Sequence, residues 1–183
     1  MWGGLTRIKS DTEVRGDGVE INVWSKDWAD PAEMYNLGFE LINSLDSNVY
    51  IVPAAGYYAD YLNAASLYAN WKPNVFKSGN LNTTIPAGDP QMIGGAFAVW
   101  NDMCDNQENG MSEYDIYDRI NRSAGLFGAN SWGKSGSIDT AAAKEIVAKL
   151  GDAPGSNLVT TSQLPRMAPS LSGTWTTCRT PLA

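Results

Sequence analysis

The chain of 183 residues contains no histidine. That excludes Ser-His-Asp and Cys-His catalysis and most zinc sites, because each needs an imidazole as base or ligand. Acid–base work falls to Asp, Glu, Tyr, Lys or Cys. Cysteine is scarce too. Cys104 and Cys178 are the only two, they fit no metal-ligand spacing, and the sequence leaves open whether they pair or stay free. There is no basic run, and 13 Lys and Arg against 20 Asp and Glu give a net charge of −7. Such a chain repels phosphate backbones and anionic headgroups, so neither nucleic acid nor a membrane surface is an expected partner. No apolar run approaches the roughly 18 residues of a membrane span, and no secretory leader is recognisable. Nothing points to a metal or an organic cofactor.

What is present is enough for one domain with its own core. The aromatic residues are biased toward 7 Trp and 8 Tyr against 4 Phe. Trp and Tyr join a flat apolar body to a polar handle, which suits carbohydrate or interface contacts as well as ordinary packing. Val19 to Trp24 alternates apolar and polar residues and reads as a strand. Asp30, Pro31 and Glu33 then form a capping pattern, predicting a helix from Pro31 to about Leu37 closed by Gly38. Glu40 to Asn43 and Val49 to Val52 are short strand candidates. Tyr57, Tyr61, Ala65 and Tyr68 recur at helical spacing and predict one or two turns with a packing face. Trp71 to Gln91, punctuated by Pro and Gly, reads as loop. Met92 to Trp100 reads as a buried strand. Ser112 and Asp115 open another capped helix, with Ile116, Ile120, Ala124 and Phe127 on its buried face and Trp132-Gly133 at its end. Asp139 to Leu150 is a further amphipathic helix.

Strand, helix, strand, helix is the grammar of a parallel α/β fold. The long loops after the strands fit a (β/α)8 barrel, whose function gathers at the C-terminal mouth. Ile93 to Asp102 (Ile-Gly-Gly-Ala-Phe-Ala-Val-Trp-Asn-Asp) is the most informative stretch. A short apolar run ends in Trp100, and the carboxylate of Asp102 follows. A Trp face stacks on the apolar face of a pyranose, and an Asp accepts from sugar hydroxyls. The alternative is a core strand with a capping Asp.

Gly94 to Asp102 resembles the eighth-strand motif of family 20 glycoside hydrolases, the β-N-acetylhexosaminidases and lacto-N-biosidases. That motif is Gly-Gly, four small or apolar residues, Trp, any residue, then Glu or Asp. Ile21 to Trp24 is similar to the sixth-strand block. Gly38 to Ser44 with Val49 to Pro53 is similar to the seventh-strand block, and Met1-Trp2-Gly3 to the end of the fifth strand. Arg119 to Trp132 resembles the last barrel helix. Asp rather than Glu at position 102 looks more like the lacto-N-biosidase side.

The resemblance implies an α/β fold made of about strands 5–8 of a TIM-type barrel. Residues 1–132 are the expected partial glycosidase barrel, 133–152 a trailing helix, and 153–183 a poorly ordered tail or linker. It implies substrate-assisted retaining hydrolysis of terminal β-linked N-acetylhexosamine or lacto-N-biose, in which the sugar's own acetamido group attacks the anomeric carbon. Carried over, Tyr50 makes the catalytic contact with the acetamido oxygen. Trp2, Trp24 and Trp100 wall the pocket, and Asp102 holds sugar hydroxyls. The family's sugar-contacting acid two residues after that Tyr is Val52 here. The family also needs an adjacent Asp-Glu pair, and no Asp-Glu dipeptide occurs in this sequence. The expectation is that the pair lies upstream of Met1. The partner is then an N-acetylhexosamine-containing glycan, with a homo-oligomer or a barrel-completing chain covering the open sheet edges. A non-catalytic carbohydrate-binding fragment is the alternative. The parent enzyme is expected to be secreted or at the cell surface.

Overall fold

A computed structural model describes residues 1–3, 15–107, 110–133 and 137–151. Three parallel strands form the main sheet in the order β1 (Glu20–Val23), β2 (Glu40–Asn43), β6 (Met92–Gly95). Trp2 bridges Asn22 in parallel, which sets Met1–Gly3 along the free side of β1. Beyond β2 and β6, two short segments, β3 (Tyr50–Ile51) and β7 (Ala98–Val99), pair in the same sense. The described residues thus hold a small parallel sheet with helices, and no closed barrel.

Capping chemistry sets the helices. In α1 (Pro31–Asn36) the Asp30 carboxylate accepts from the backbone N–H groups of Ala32 and Glu33, and Pro31 occupies the first turn. This satisfies N–H groups that the helix itself cannot use. Helix α4 (Glu113–Trp132) opens on a complete capping box between Ser112 and Asp115. Asp139 caps α5 (Thr140–Leu150) in the same way as Asp30 caps α1.

Two apolar clusters hold these elements. Ile21, Val23, Met34, Phe39, Leu41, Leu45, Phe76 and Ile85 pack β1 and β2 against α1 and a hairpin. Val49, Tyr50, Val52, Leu67, Trp71 and Phe127 pack the strand ends against α3 (Ala64–Asn70) and α4. Along β1 and β2 burial alternates, with Ile21, Val23, Leu41 and Asn43 fully covered. The opposite face, with Asn22 and Ile42, is only half-covered. Two buried amides act as clamps. Asn43 Nδ2 donates to the carbonyls of Lys72, Pro73 and Val75. Asn130 Nδ2 donates to those of Leu67, Tyr68 and Trp71, and so ties the end of α3 to α4.

Several expectations change. The stretch 71–91 is not all loop: β4 (Val75–Ser78) and β5 (Leu81–Thr84) form an antiparallel hairpin. Its two-residue turn begins with Gly79 at φ +56, where glycine has no Cβ penalty. Residues 92–100 are not one buried strand. They break at Ala96 and Phe97, and all are half-buried or exposed because β6 and β7 lie at the edge of their sheets. Helix α3 starts only at Ala64, after Asn63 caps it, so Tyr57 and Tyr61 fall in the preceding loop. Val49 belongs to a single helical turn, α2 (Asp46–Val49). The buried stripe of α4 is Arg119, Ser123, Leu126, Phe127 and Asn130, with Ile120 and Ala124 at its margin. Packing against α3 and α5 rotates it about one residue from the apolar pattern. Helix α5 docks through Ala143 and Val147 beside Leu126 and Tyr68. Residues 153–183, including Cys178, lie outside the described residues, while Cys104 is buried and not a free thiol.

Candidate functional site

Parallel strands deliver side chains to the end where their carbonyls point, and ligands of open α/β sheets bind at that end. Trp24 directly follows β1 and, two residues from Asn22, continues the half-covered face. Tyr50 opens β3, and Trp100 directly follows β7. Trp2 reaches the same place from the neighbouring edge. The four rings meet. Trp24 and Tyr50 lie nearly parallel at 6.3 Å between centroids, Tyr50 and Trp100 are tilted by 52° at 6.0 Å, and Trp100 and Trp2 meet edge to face at 5.8 Å. Two strand tips, the first residue of β3 and one edge segment thus build one aromatic cluster.

Burial within it is uneven. Tyr50 is 5% exposed, whereas Trp2 is 50% and Trp100 38% exposed. A buried centre with open flanking rings is the form of a stacking site. The Tyr50 hydroxyl has no accessible surface and makes no hydrogen bond of normal geometry among the described residues. Leaving a hydroxyl in that state costs about 1–3 kcal/mol, so it is either a cost to the fold or a contact kept for a ligand. Burial pushes its pKa far above the usual tyrosine range, with the Asp46 carboxylate and Tyr58 adding to the rise. The Trp100 indole N–H beside it works in the opposite direction. At neutral pH Tyr50 is therefore a neutral donor.

A neighbouring pair frames this donor. Tyr58 packs edge-on to Tyr50 at 5.9 Å and donates to Asp46 Oδ2 at 2.7 Å. Asp46 is held by its own N–H on the Trp24 carbonyl at 2.7 Å. Burial, then the hydrogen bond and charge of Asp46, raise the Tyr58 pKa to about 12. The loop carrying Tyr57 and Tyr58 departs from Ala54, whose φ of 61 is unusual for a residue with a Cβ. The Asp60 carboxylate on the Ala54 N–H holds that turn. Tyr61 pins the far end, lying under the guanidinium groups of Arg119 and Arg122 at 4.7 Å each.

Of the five residues read from the sequence, Trp2, Trp24, Tyr50 and Trp100 come together. Asp102 does not join them: it is exposed in the turn after β7, and no hydrogen bond or ion pair links it to the cluster. Asp46 and Tyr58 were missed. No motif marks them, because the one-turn helix α2 that aims Asp46 has no sequence signature. Trp28, which stacks on Trp24 at 6.0 Å, was missed as well.

A cavity of about 530 Å³ lies elsewhere, between α2, α3 and the hairpin, lined in part by Asn48, Ser66, Asn70, Trp71 and Lys77. Its polar side chains already bond within the chain. Ser47 donates to Ser78 at 2.8 Å, Asn48 to the Lys77 carbonyl, and Asn70 to Ser66. A buried donor without a normal hydrogen bond among the described residues is found at both, the Tyr50 hydroxyl in the cluster and the Trp71 indole N–H beside the cavity. We place the candidate site at the cluster because it alone also gathers several partly exposed rings around that donor. Among the described residues no group of three His, Cys, Asp or Glu is arranged to hold a metal ion. No helix among them is long and apolar enough to cross a membrane. The chain matches no protein-family model and no curated protein sequence.

Proposed function

We propose that the cluster of Trp2, Trp24, Tyr50 and Trp100 binds a terminal β-linked N-acetylhexosamine, as part of a family 20-type glycoside hydrolase barrel. The observation that carries the reading is the buried, neutral Tyr50 hydroxyl, which makes no hydrogen bond of normal geometry among the described residues and is enclosed by indole rings. An acetamido carbonyl is a neutral acceptor, and its methyl group and the sugar's C–H face are apolar. A phenol among indoles matches both halves. A hydrogen bond made there gains strength from the low local dielectric.

The all-parallel order from Trp2 through β1 and β2 to β6, without reversal, supports the partial-barrel reading, since a (β/α)8 barrel is wound from parallel strands. In the substrate-assisted route Tyr50 donates to the acetamido oxygen and aims it at the anomeric carbon, so that nucleophile and target are already in place. Asp46 and Tyr58 hold the Tyr50 ring from below. Asp102 is proposed to meet a sugar hydroxyl only from its exposed turn, at the rim.

This sequence has no Asp-Glu dipeptide to orient the acetamido nitrogen and protonate the leaving group. That favours a second reading for the chain alone: carbohydrate binding without turnover. Calorimetric titration with N-acetylglucosamine, its thiazoline analogue and glucose tests both. The expected result is binding of the two N-acetyl-type ligands, weaker or absent binding of glucose, and no release of chromophore from a nitrophenyl N-acetylglucosaminide. A cooperatively melting chain that binds none of them overturns the sugar-site reading. Turnover overturns the assignment of acid catalysis to residues outside this sequence.

A further inference from the structure

The cavity of about 530 Å³ shares no lining residue with the four-ring cluster. Local chemistry holds its walls. Asn63 caps the first turn of α3 by accepting from the Ser66 N–H, and Asn130 holds the other end of that helix. Ser47 and Asn48 of α2 tie to Ser78 and to the Lys77 carbonyl of the hairpin. Short elements are thus cross-linked around a hollow, so little new order has to be created when a ligand enters. The volume lies within the ordinary range of small-molecule sites.

The wall runs against the charge of the chain. Acidic residues outnumber basic ones by 20 to 13, yet Lys77 is the only charged residue in the lining. The carboxylates next in sequence to the wall are engaged by other groups: Asp46 accepts from Tyr58, and Asp60 from the Ala54 N–H. Lys77 makes no ion pair among the described residues. The other polar groups are neutral. Asn48 and Asn70 each donate one side-chain N–H within the chain, and their side-chain oxygens accept nothing among the described residues. Leu67 and Trp71 add apolar surface. Amides and hydroxyls match the hydroxyls of a sugar, apolar side chains match its C–H groups, and one ammonium matches one carboxylate.

We propose that this cavity is a second ligand site, for a saccharide that carries one carboxylate, such as a hexuronic acid. Lys77 pairs with the carboxylate, while Asn48 and Asn70 meet ring hydroxyls. A phosphate monoester, with about two negative charges, exceeds what a single lysine balances. The assignment does not rest on the reading of the Tyr50 cluster. Binding is reversible and no covalent bond changes.

The test titrates the full chain with glucuronate, glucose and N-acetylglucosamine by calorimetry, in wild type, Lys77→Gln, Lys77→Arg and Ser66→Phe. Wild type should bind glucuronate roughly two- to fivefold more tightly than glucose, the scale of one exposed ion pair. Added salt should shrink that preference. Lys77→Gln should abolish it and Lys77→Arg should keep it. Ser66→Phe, which fills the hollow from an exposed position on α3, should weaken glucuronate and leave N-acetylglucosamine unchanged. In the wild-type NMR spectrum glucuronate should shift the side-chain amides of Asn48 and Asn70, a readout that needs no variant to fold. Equal affinity for glucuronate and glucose, a preference that survives Lys77→Gln, or unmoved Asn48 and Asn70 amides overturns the proposal. Inorganic phosphate that competes as well as glucuronate overturns the saccharide assignment. A chain that binds N-acetylglucosamine but not glucuronate loses this site and keeps the Tyr50 site, and the converse result does the opposite.

Discussion

Tyr50→Phe removes a hydroxyl that is buried and makes no hydrogen bond of normal geometry among the described residues, and it leaves the ring between Trp24, Tyr58 and Trp100 unchanged. The fold should therefore gain from the change. A buried, unsatisfied polar group costs about 1–3 kcal/mol, and the lower end applies where an indole N–H lies alongside. A gain of about 1 kcal/mol in a chain of this size raises the melting temperature by roughly 2–4 °C. Binding should move the other way. One neutral hydrogen bond is worth about 0.5–1.5 kcal/mol, so the affinity for N-acetylglucosamine should fall roughly two- to tenfold. Thermal denaturation followed by circular dichroism reads the first effect, and isothermal titration calorimetry the second. A variant that melts several degrees lower would show that the hydroxyl has a structural partner. An unchanged affinity would show that it never meets the sugar. Either result refutes the argument that this residue gives up stability for a ligand contact.

Asn130→Ala strips one donor from three carbonyls at the end of α3. It should cost about 1–3 kcal/mol, on the scale of unsatisfied buried acceptors, as measured by urea denaturation. Gly95→Ala would set its Cβ 2.5 Å from the Trp71 ring, and such overpacking should cost about 1–3 kcal/mol in the same assay. Ser112→Ala breaks the capping box of α4 and should cost about 0.5–2 kcal/mol. Tyr58 keeps its proton to about pH 12 in the fold because of burial and Asp46. An unfolded tyrosine releases its proton near 10. The stabilisation linked to Tyr58 is then fully present below about pH 10 and lost between 10 and 12. In a near-ultraviolet absorbance titration, Asp46→Asn should bring the Tyr58 ionisation to lower pH; an unmoved curve would contradict the role of Asp46.

Much of the local architecture was legible in order because its causes are local. Asp30-Pro31, Ser112 with Asp115, and Asp139 satisfy the first N–H groups of a helix from within a few residues, so spacing alone places α1, α4 and α5. The alternation of Glu20 to Val23 and Glu40 to Asn43 marks half-covered strands for the same reason. Trp24 and Trp100 were legible as site candidates because each follows a strand, and Tyr50 through the family resemblance. The β4–β5 hairpin was read as loop, because the prolines on either side masked the turn signal of Gly79-Asn80. Other features depend on who the neighbours are. Asp102 follows Trp100 in sequence, yet the chain turns after β7 and leaves it in solvent. The stripe of α4 is set by what α3 and α5 press against it, which is how Arg119 and Asn130 come to be buried.

The amino-acid order by itself decided what kinds of chemistry the chain lacks, where its helices start, and which rings stand at strand ends. Those properties follow from residue type and short-range spacing. Only the tertiary structure decided that Asp46 and Tyr58 frame Tyr50, that its hydroxyl is buried with no normal hydrogen bond among the described residues, and that Trp28 stacks on Trp24. Each of those requires parallel strands and a one-turn helix, distant in sequence, to bring atoms within contact, and no local pattern encodes that.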